Sequence, residues 1–312
     1  MNTGLVLIVL SAILWGTAGV SAKYLINMYS LSALTIGAMR LLIASPILLT
    51  ISKIQLKEKI KIDRKHYALF VIYGITVATY QIAYFMAVKR IMVSVATLIA
   101  LCTAPIFVAI LSRIFLKEKM RTSVIIALVI SIVGTSLIIG LTDNQILPGT
   151  SYWGYILALG AGLSYAIYTL CGKELIVYYP STKVISITFS LGAVLMLPFA
   201  QIPGNLSWNA WAMLLYLGTV PTAFAYIIFT QGLKKSSATK ASIATLFEPL
   251  TSTALSILLI GDKFKESQLL GALLLSLALF LLVLGDYFEL MGSRLKILVR
   301  KINVKSTSHH SD

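Results

Sequence analysis

The sequence predicts an all-α integral membrane protein, with ten transmembrane helices in two inverted five-helix repeats. Three observations predict it. Of 312 residues, 58% are hydrophobic and only 12% are charged, against about 25% charged in soluble chains, so a bilayer is the solvent this chain requires. Ten windows are apolar over the ~20 residues that a membrane helix needs. One element is also written twice, 144 residues apart: LIALCTAPIFVAILSRIFLKEK around Pro105 and SIATLFEPLTSTALSILLIGDK around Pro249.

The windows fall at 4–24, 31–51, 67–88, 93–114, 122–141, 152–172, 182–201, 210–232, 239–260 and 267–286. Their length and lack of two-residue alternation exclude barrel strands, which run to about half that length. The first window resembles a secretory leader, and Val20-Ser21-Ala22 resembles a cleavage site. No Lys or Arg precedes its apolar run, however, as a leader would require. The window also has a counterpart in the sixth. At an offset of 150, Trp15 pairs with Tyr165, Gly16 with Ala166, Lys23 with Lys173 and Leu25 with Leu175. It is therefore expected as a retained span.

The second and seventh windows match loosely, through Pro46 and Pro198. The third to fifth match the eighth to tenth at offset 144, pairing Gly74 with Gly218, Glu118 with Asp262, Lys119 with Lys263 and Ser123 with Ser267. A one-residue slip separates Lys89-Arg90 from Lys234-Lys235. The expected domains are a first five-helix repeat over 1–144, a second over 150–286 and a basic cytoplasmic tail over 287–312. Five spans per half is an odd number, so the second copy enters the membrane the opposite way up.

Orientation follows from basic residues, which concentrate in cytoplasmic loops. With the N-terminus inside, 20 Lys and Arg face the cytoplasm and 5 (Lys23, Lys89, Arg90, Lys263 and Lys265) face out, while Arg40 lies within a span. A multi-pass protein of the cell (inner) membrane with both termini cytoplasmic is expected. The net charge of +15 is accounted for by these loops rather than by nucleic-acid binding. The tail interleaves Leu295, Leu298, Val299 and Ile302 with five basic residues, a pattern suited to the anionic inner leaflet.

Leu14-Trp15-Gly16 in the first span, Arg40 in the second, Pro105 and Glu118 around the fourth, and Glu248-Pro249 with Asp262 around the ninth resemble the EamA branch of the drug/metabolite transporter superfamily. The resemblance covers about residues 4–286. It implies a carrier of small metabolites such as amino acids, nucleobase compounds or organic cations, and leaves the cargo open. Asp262 stands where that family often has Glu, which keeps the charge.

Glu248 is the carboxylate placed well inside a span, where an ionised group costs ~2.5–3.5 kcal/mol on insertion scales. It would bind a cationic group or carry a coupling proton, or else anchor the broken helix structurally. Tyr80 and Tyr84 share a stripe of the third span with Tyr73, flanked by Gln81. Trp15, Tyr165, Tyr168 and Tyr226 supply further rings from the first, sixth and eighth spans. These eight residues (Trp15, Tyr80, Gln81, Tyr84, Tyr165, Tyr168, Tyr226 and Glu248) form the expected substrate site, because ring faces with hydroxyl and amide groups suit an amphipathic solute. The alternative for the tyrosines is an interfacial belt. Pro105 and Pro249 each remove a backbone donor and bend their helices, and they are the expected gating residues. Arg40 is expected to snorkel or to form a structural pair.

The two cysteines, Cys102 and Cys171, lie in apolar segments, and the three histidines have no ligand spacing. No metal, cofactor or catalytic residue is expected. The chain has no G-x-x-x-x-G-K-[ST] loop, so ATP does not drive it directly. The expectation is a secondary transporter, an exporter or exchanger of an amino acid or related amphipathic compound by alternating access, with proton coupling and a monomeric state both allowed. The alternatives are a carrier of organic cations or nucleotide-like metabolites, a channel, and a lipid-modifying membrane enzyme. The chain lacks the clustered His or Asp that the enzyme would need.

Overall fold

The computed structural model describes residues 3–56, 61–91, 93–139, 152–201, 204, 206–260 and 266–285. The described secondary structure is helical. Its helices are α1 (Thr3–Tyr29), α2 (Ala33–Gln55), α3 (Tyr67–Val88), α4 (Val93–Phe115), α5 (Thr122–Ile139), α6 (Tyr152–Tyr178) and α7 (Ser181–Met196), then α8 (Trp208–Lys234), α9 (Ala238–Ala244) and α10 (Phe247–Ile260), and α11 (Glu266–Gly285). Among the described residues, eight helices are long and apolar enough to cross a membrane, and α5 is a shorter apolar helix. The chain is an all-α membrane protein.

The helices are apolar on both their inner and outer faces. In α1, Leu5, Ile8, Ala12 and Trp15 are buried at three- and four-residue spacing, while Leu10 and Ile13 point outward. A soluble helix would carry charge on that outer face; here lipid takes the place of water. Side-chain oxygens begin several helices. Ser32 accepts from Thr35 N, Ser207 from Ala210 N and Ser237 from Lys240 N, each satisfying an amide that has no partner in the first helical turn.

The first helix of each half packs into the other half. α1 lies against α8, α9 and α10, whereas α6 lies against α3 and α4, and α2 meets α7 between them. Glycines set both close approaches. A Cβ on Gly16 would come 2.6 Å from Thr251 Cβ and 2.9 Å from the Glu248 carbonyl oxygen, and one on Gly162 would run into Thr103 Oγ1. Ser45 and Ser190 tie α2 to α7 with a 2.7 Å hydroxyl contact.

Two spans differ from their expected form. The ninth, a proline-broken span over 239–260, is two helices whose turn lies at Thr245–Leu246, upstream of Pro249. Pro249 has no N–H to give the Thr245 carbonyl, and its ring would clash there. Glu248 N bonds the Thr245 oxygen instead, at 3.0 Å. Pro249 then falls in the first turn of α10, where no donor is needed. Its counterpart Pro105 lies inside α4, which runs through it, so the paired prolines do not break their helices alike. The eighth span contains a π-helical stretch at Thr219–Phe224 around Pro221, which was not expected.

One face of the bundle gathers alternate helix ends. Gly4 of α1 approaches Gly232 and Lys235 at the end of α8, and Gly285 of α11 approaches Ser123 of α5. The Tyr179 hydroxyl, at the end of α6, accepts from Asp63 N (3.0 Å) and bonds His66 Nδ1 (2.8 Å) before α3. On the opposite face, Gly154 of α6 approaches Arg90 and Ile91 after α3.

Candidate functional site

The rings of α1, α3, α6 and α8 meet in one continuous cluster. Tyr165 and Tyr168 stand edge to face with centroids 4.9 Å apart, and Tyr80 lies 6.3 Å from Tyr165 and 6.2 Å from Tyr168. Tyr84 stacks beside Tyr80 at 6.3 Å. Tyr168 and Tyr226 lie within electrostatic range of one another. Trp15 is 4.7 Å from Tyr226 and 5.1 Å from Phe229, and Phe189 closes on Tyr226 at 4.6 Å. These are offset and edge-on separations that aromatic pairs favour.

The local sequence explains the convergence. Tyr73, Tyr80 and Tyr84 recur at helical spacing on α3, and Tyr165 and Tyr168 are three apart on α6, so each set shares a face. Tyr73 stacks on Tyr168 at 5.7 Å with its ring nearly parallel, and both are fully buried. Tyr84 and Tyr165 are oriented through their hydroxyls, Tyr84 by Thr97 at 2.7 Å and Tyr165 by Thr245 at 3.1 Å. Thr245 belongs to the turn between α9 and α10, so the helix break is joined directly to the cluster.

Glu248, one residue before Pro249, is half-buried. It lies within electrostatic range of Tyr80, Tyr84, Tyr165 and Tyr226. Arg40 lies within range of Glu248 and of Tyr226. Its Nε donates to Thr222 Oγ1 at 3.0 Å, and the Thr222 hydroxyl donates to the Leu217 carbonyl at 2.7 Å. The π-helical turn thus carries a hydroxyl that fixes Arg40 beside the rings, and such turns are frequent at functional sites.

Of the expected site residues, Trp15, Tyr80, Tyr84, Tyr165, Tyr168, Tyr226 and Glu248 come together around this cluster. Gln81 is set apart. It is buried, and its Oε1 lies over Gly37 of α2, 3.4 Å from where a Cβ there would stand. Pro249 adjoins Glu248, while Pro105 sits in α4. Two neighbours are not legible in the sequence: Thr245 and the position of Arg40 beside the rings. A mid-membrane arginine was the available signal for the last, since such charges mark functional positions. Nothing in the sequence pointed to the π-helical turn beyond Pro221 itself. Asp262 and the tail 287–312 lie outside the described residues. Among the described residues, no three His, Cys, Asp or Glu side chains converge as a metal site would require.

The arrangement pairs ring faces and hydroxyls with one acid and one guanidinium inside an apolar bundle. It can hold a small solute through cation–π contact, hydrogen bonds and charge.

Comparison with known proteins concerns the chain as a whole rather than the site. A family model described as the EamA-like transporter family matches residues 2–140 and again 152–284. The uncharacterized transporter YwfM of Bacillus subtilis (strain 168) is 30% identical over 280 residues, covering 88% of this chain and 92% of that protein. The uncharacterized inner membrane transporter YicL of Salmonella typhimurium is 28% identical over 294 residues, covering 91% and 96%. A crystal structure superposes with a TM-score of 0.75 at 16% identity, covering 90% of this chain and 97% of the other, a likeness of fold alone.

Proposed function

The chain belongs to the EamA-like transporter family, and on that premise we propose that this membrane transporter is a secondary carrier of a small amphipathic metabolite, an amino acid or related compound, working by alternating access. The carrying observation is the ring cluster itself. Its rings come from α1 and α3 of one half and α6 and α8 of the other, with Glu248 and Arg40 within electrostatic reach. A site shared by two halves can be uncovered from either side as the halves rock. The exchange of packing partners, α1 onto the second half and α6 onto the first, supports two inverted five-helix repeats as the moving units.

In this mechanism the tyrosine faces and Glu248 hold the positive or polar end of the solute. Arg40, held by Thr222, balances the charge of Glu248 or meets an anionic end. Glu248 is also the group available for proton coupling. The turn at Thr245–Leu246 lets α9 move separately from α10, and Pro249 and Pro105 set where their helices yield. The basic face, with the chain termini, is assigned to the cytoplasm of the cell (inner) membrane, and outward export or exchange is the assigned direction.

The test is a proteoliposome uptake screen across amino acids, nucleobases and quaternary amines, with and without a pH gradient. Saturable flux with counterflow is expected, and unsaturable conductance would point to a channel. For the cargo so found, Glu248→Gln is expected to lower flux about tenfold or more while the protein still elutes as a folded species in detergent, since charged hydrogen-bonding groups contribute about 1.5–3 kcal/mol. Unaltered flux in that variant at every pH would remove Glu248 from the site.

A further inference from the structure

We propose that Glu118 and Lys173 form a latch that closes the basic face of the protein by gripping the turn between α8 and α9. Glu118 follows α4, in the first half of the chain. Its carboxylate accepts from Ala238 N at 2.8 Å, from Thr239 N at 3.4 Å and from the Thr239 hydroxyl at 3.2 Å. These donors are the free amides and first hydroxyl of α9, in the second half. Beside them the Ser112 and Thr239 hydroxyls meet at 2.9 Å in a buried contact. From the other side Lys173 of α6 donates to the Leu233 carbonyl at 2.7 Å and the Ser236 carbonyl at 2.5 Å, where α8 ends. Lys173 and Glu118 are within electrostatic range of one another.

Each charge meets the helix end that suits it: the ammonium on the carbonyl end of α8, the carboxylate on the amide end of α9. Both side chains are half-buried, where a lowered local dielectric strengthens charge-assisted hydrogen bonds. The backbone is bent to deliver the acid. Lys117 has φ of 54°, a left-handed conformation that a lysine adopts only when its surroundings hold it. The next residue, Glu118, bonds the Ser112 carbonyl through its own amide at 3.2 Å.

The latch is mechanically joined to the candidate site. α9 is a seven-residue rod, gripped at one end by Glu118. At its other end the Thr245 hydroxyl bonds Tyr165 at 3.1 Å. Along α6, Tyr165, Thr169 and Lys173 recur every four residues, so one stripe runs from the ring cluster to the latch. A solute that displaces Tyr165 pulls on the same short helix that Glu118 holds. This inference rests on the carrier reading above: the latch is the gate on one side of the site, and its release opens that side.

A substrate-free experiment tests it. With Cys102→Ala and Cys171→Ala as background, Thr169→Cys places a reporter on the stripe, and a membrane-impermeant maleimide is applied to sealed vesicles from each face separately. Adding Glu118→Ala is expected to raise labelling from the basic face about tenfold, as loss of a hydrogen bond to a charged group implies, with Glu118→Gln intermediate. A disulfide between Ser112→Cys and Thr239→Cys, read at residue 169 by peptide mass spectrometry, is expected to suppress that labelling until reductant is added. Unchanged labelling in a folded Glu118→Ala protein, or undiminished labelling in the cross-linked one, would overturn the latch. Should Glu118→Ala not fold, the cross-link alone decides. Equal labelling from both faces in the background protein, insensitive to the cross-link, would instead overturn alternating access.

Discussion

Tyr80 touches more of the cluster than any single neighbour explains. Its ring is within 6.3 Å of Tyr84, Tyr165 and Tyr168, and it lies within range of Glu248. Its ring face is therefore the part that a solute would meet, and its hydroxyl is secondary. Tyr80→Ala is expected to raise the apparent KM of the cargo about tenfold, in keeping with about 1–2 kcal/mol for a partly desolvated cation–π contact. Tyr80→Phe is expected to stay near the parent, with protein yield unchanged in both. Initial-rate uptake over a range of substrate concentrations checks it, and a parental KM in the alanine variant would take Tyr80 out of the site. Trp15 shows the same economy from α1 of the same half. It is 5% exposed, and its indole N–H has no hydrogen-bond partner among the described residues. A buried donor left so costs about 1–3 kcal/mol, a cost that proteins keep where a ligand can relieve it.

The instructive element is α8. Pro221 cannot donate to the helix ladder, and the chain answers with a π-helical turn whose Thr222 hydroxyl caps the Leu217 carbonyl. The same hydroxyl receives Arg40 Nε, so one side chain repairs a helix and positions a charge. Thr222→Val keeps the shape and removes both bonds. It is expected to lower stability by about 1–3 kcal/mol, while Thr222→Ser retains most of it. Thermal unfolding in detergent, followed by tryptophan fluorescence, measures the difference, and equal midpoints for the valine variant and the parent would show that Arg40 does not depend on Thr222. The ninth span makes a related point. Its break sits at Thr245–Leu246, four residues upstream of Pro249, because a proline disrupts the carbonyl four positions back.

At the scale of the molecule, the starts of α1 and α9 and the ends of α4, α6 and α8 lie on one face. That face carries Arg113, Lys117, Lys119, Lys234 and Lys235, whereas Lys89 and Arg90 lie at the other. Basic residues favour the cytoplasmic side. Single cysteines replacing Lys119 or Lys235 are therefore expected to react with an impermeant maleimide only from the cytoplasmic side of intact cells and inverted vesicles, and one replacing Arg90 only from outside. The reverse pattern would invert the assigned topology without disturbing the fold.

The sequence by itself determined the solvent, the number and placing of most spans, the repeat offsets and most of the aromatic set. These are carried by composition and helical spacing, which act locally along the chain. Tertiary structure alone decided that α1 and α6 each cross into the other half, that Gln81 turns toward Gly37 rather than joining the rings, and that Arg40 is held at the site by Thr222. It also decided that Glu118 closes on α9, 120 residues further along the chain. Such pairings depend on which helix faces meet, and helix periodicity specifies a face without specifying its partner. The two prolines differ for the same reason. Pro105 and Pro249 are equivalent in sequence, yet a helix bends or breaks according to the hydrogen bonds its neighbours supply, and those come from elsewhere in the fold.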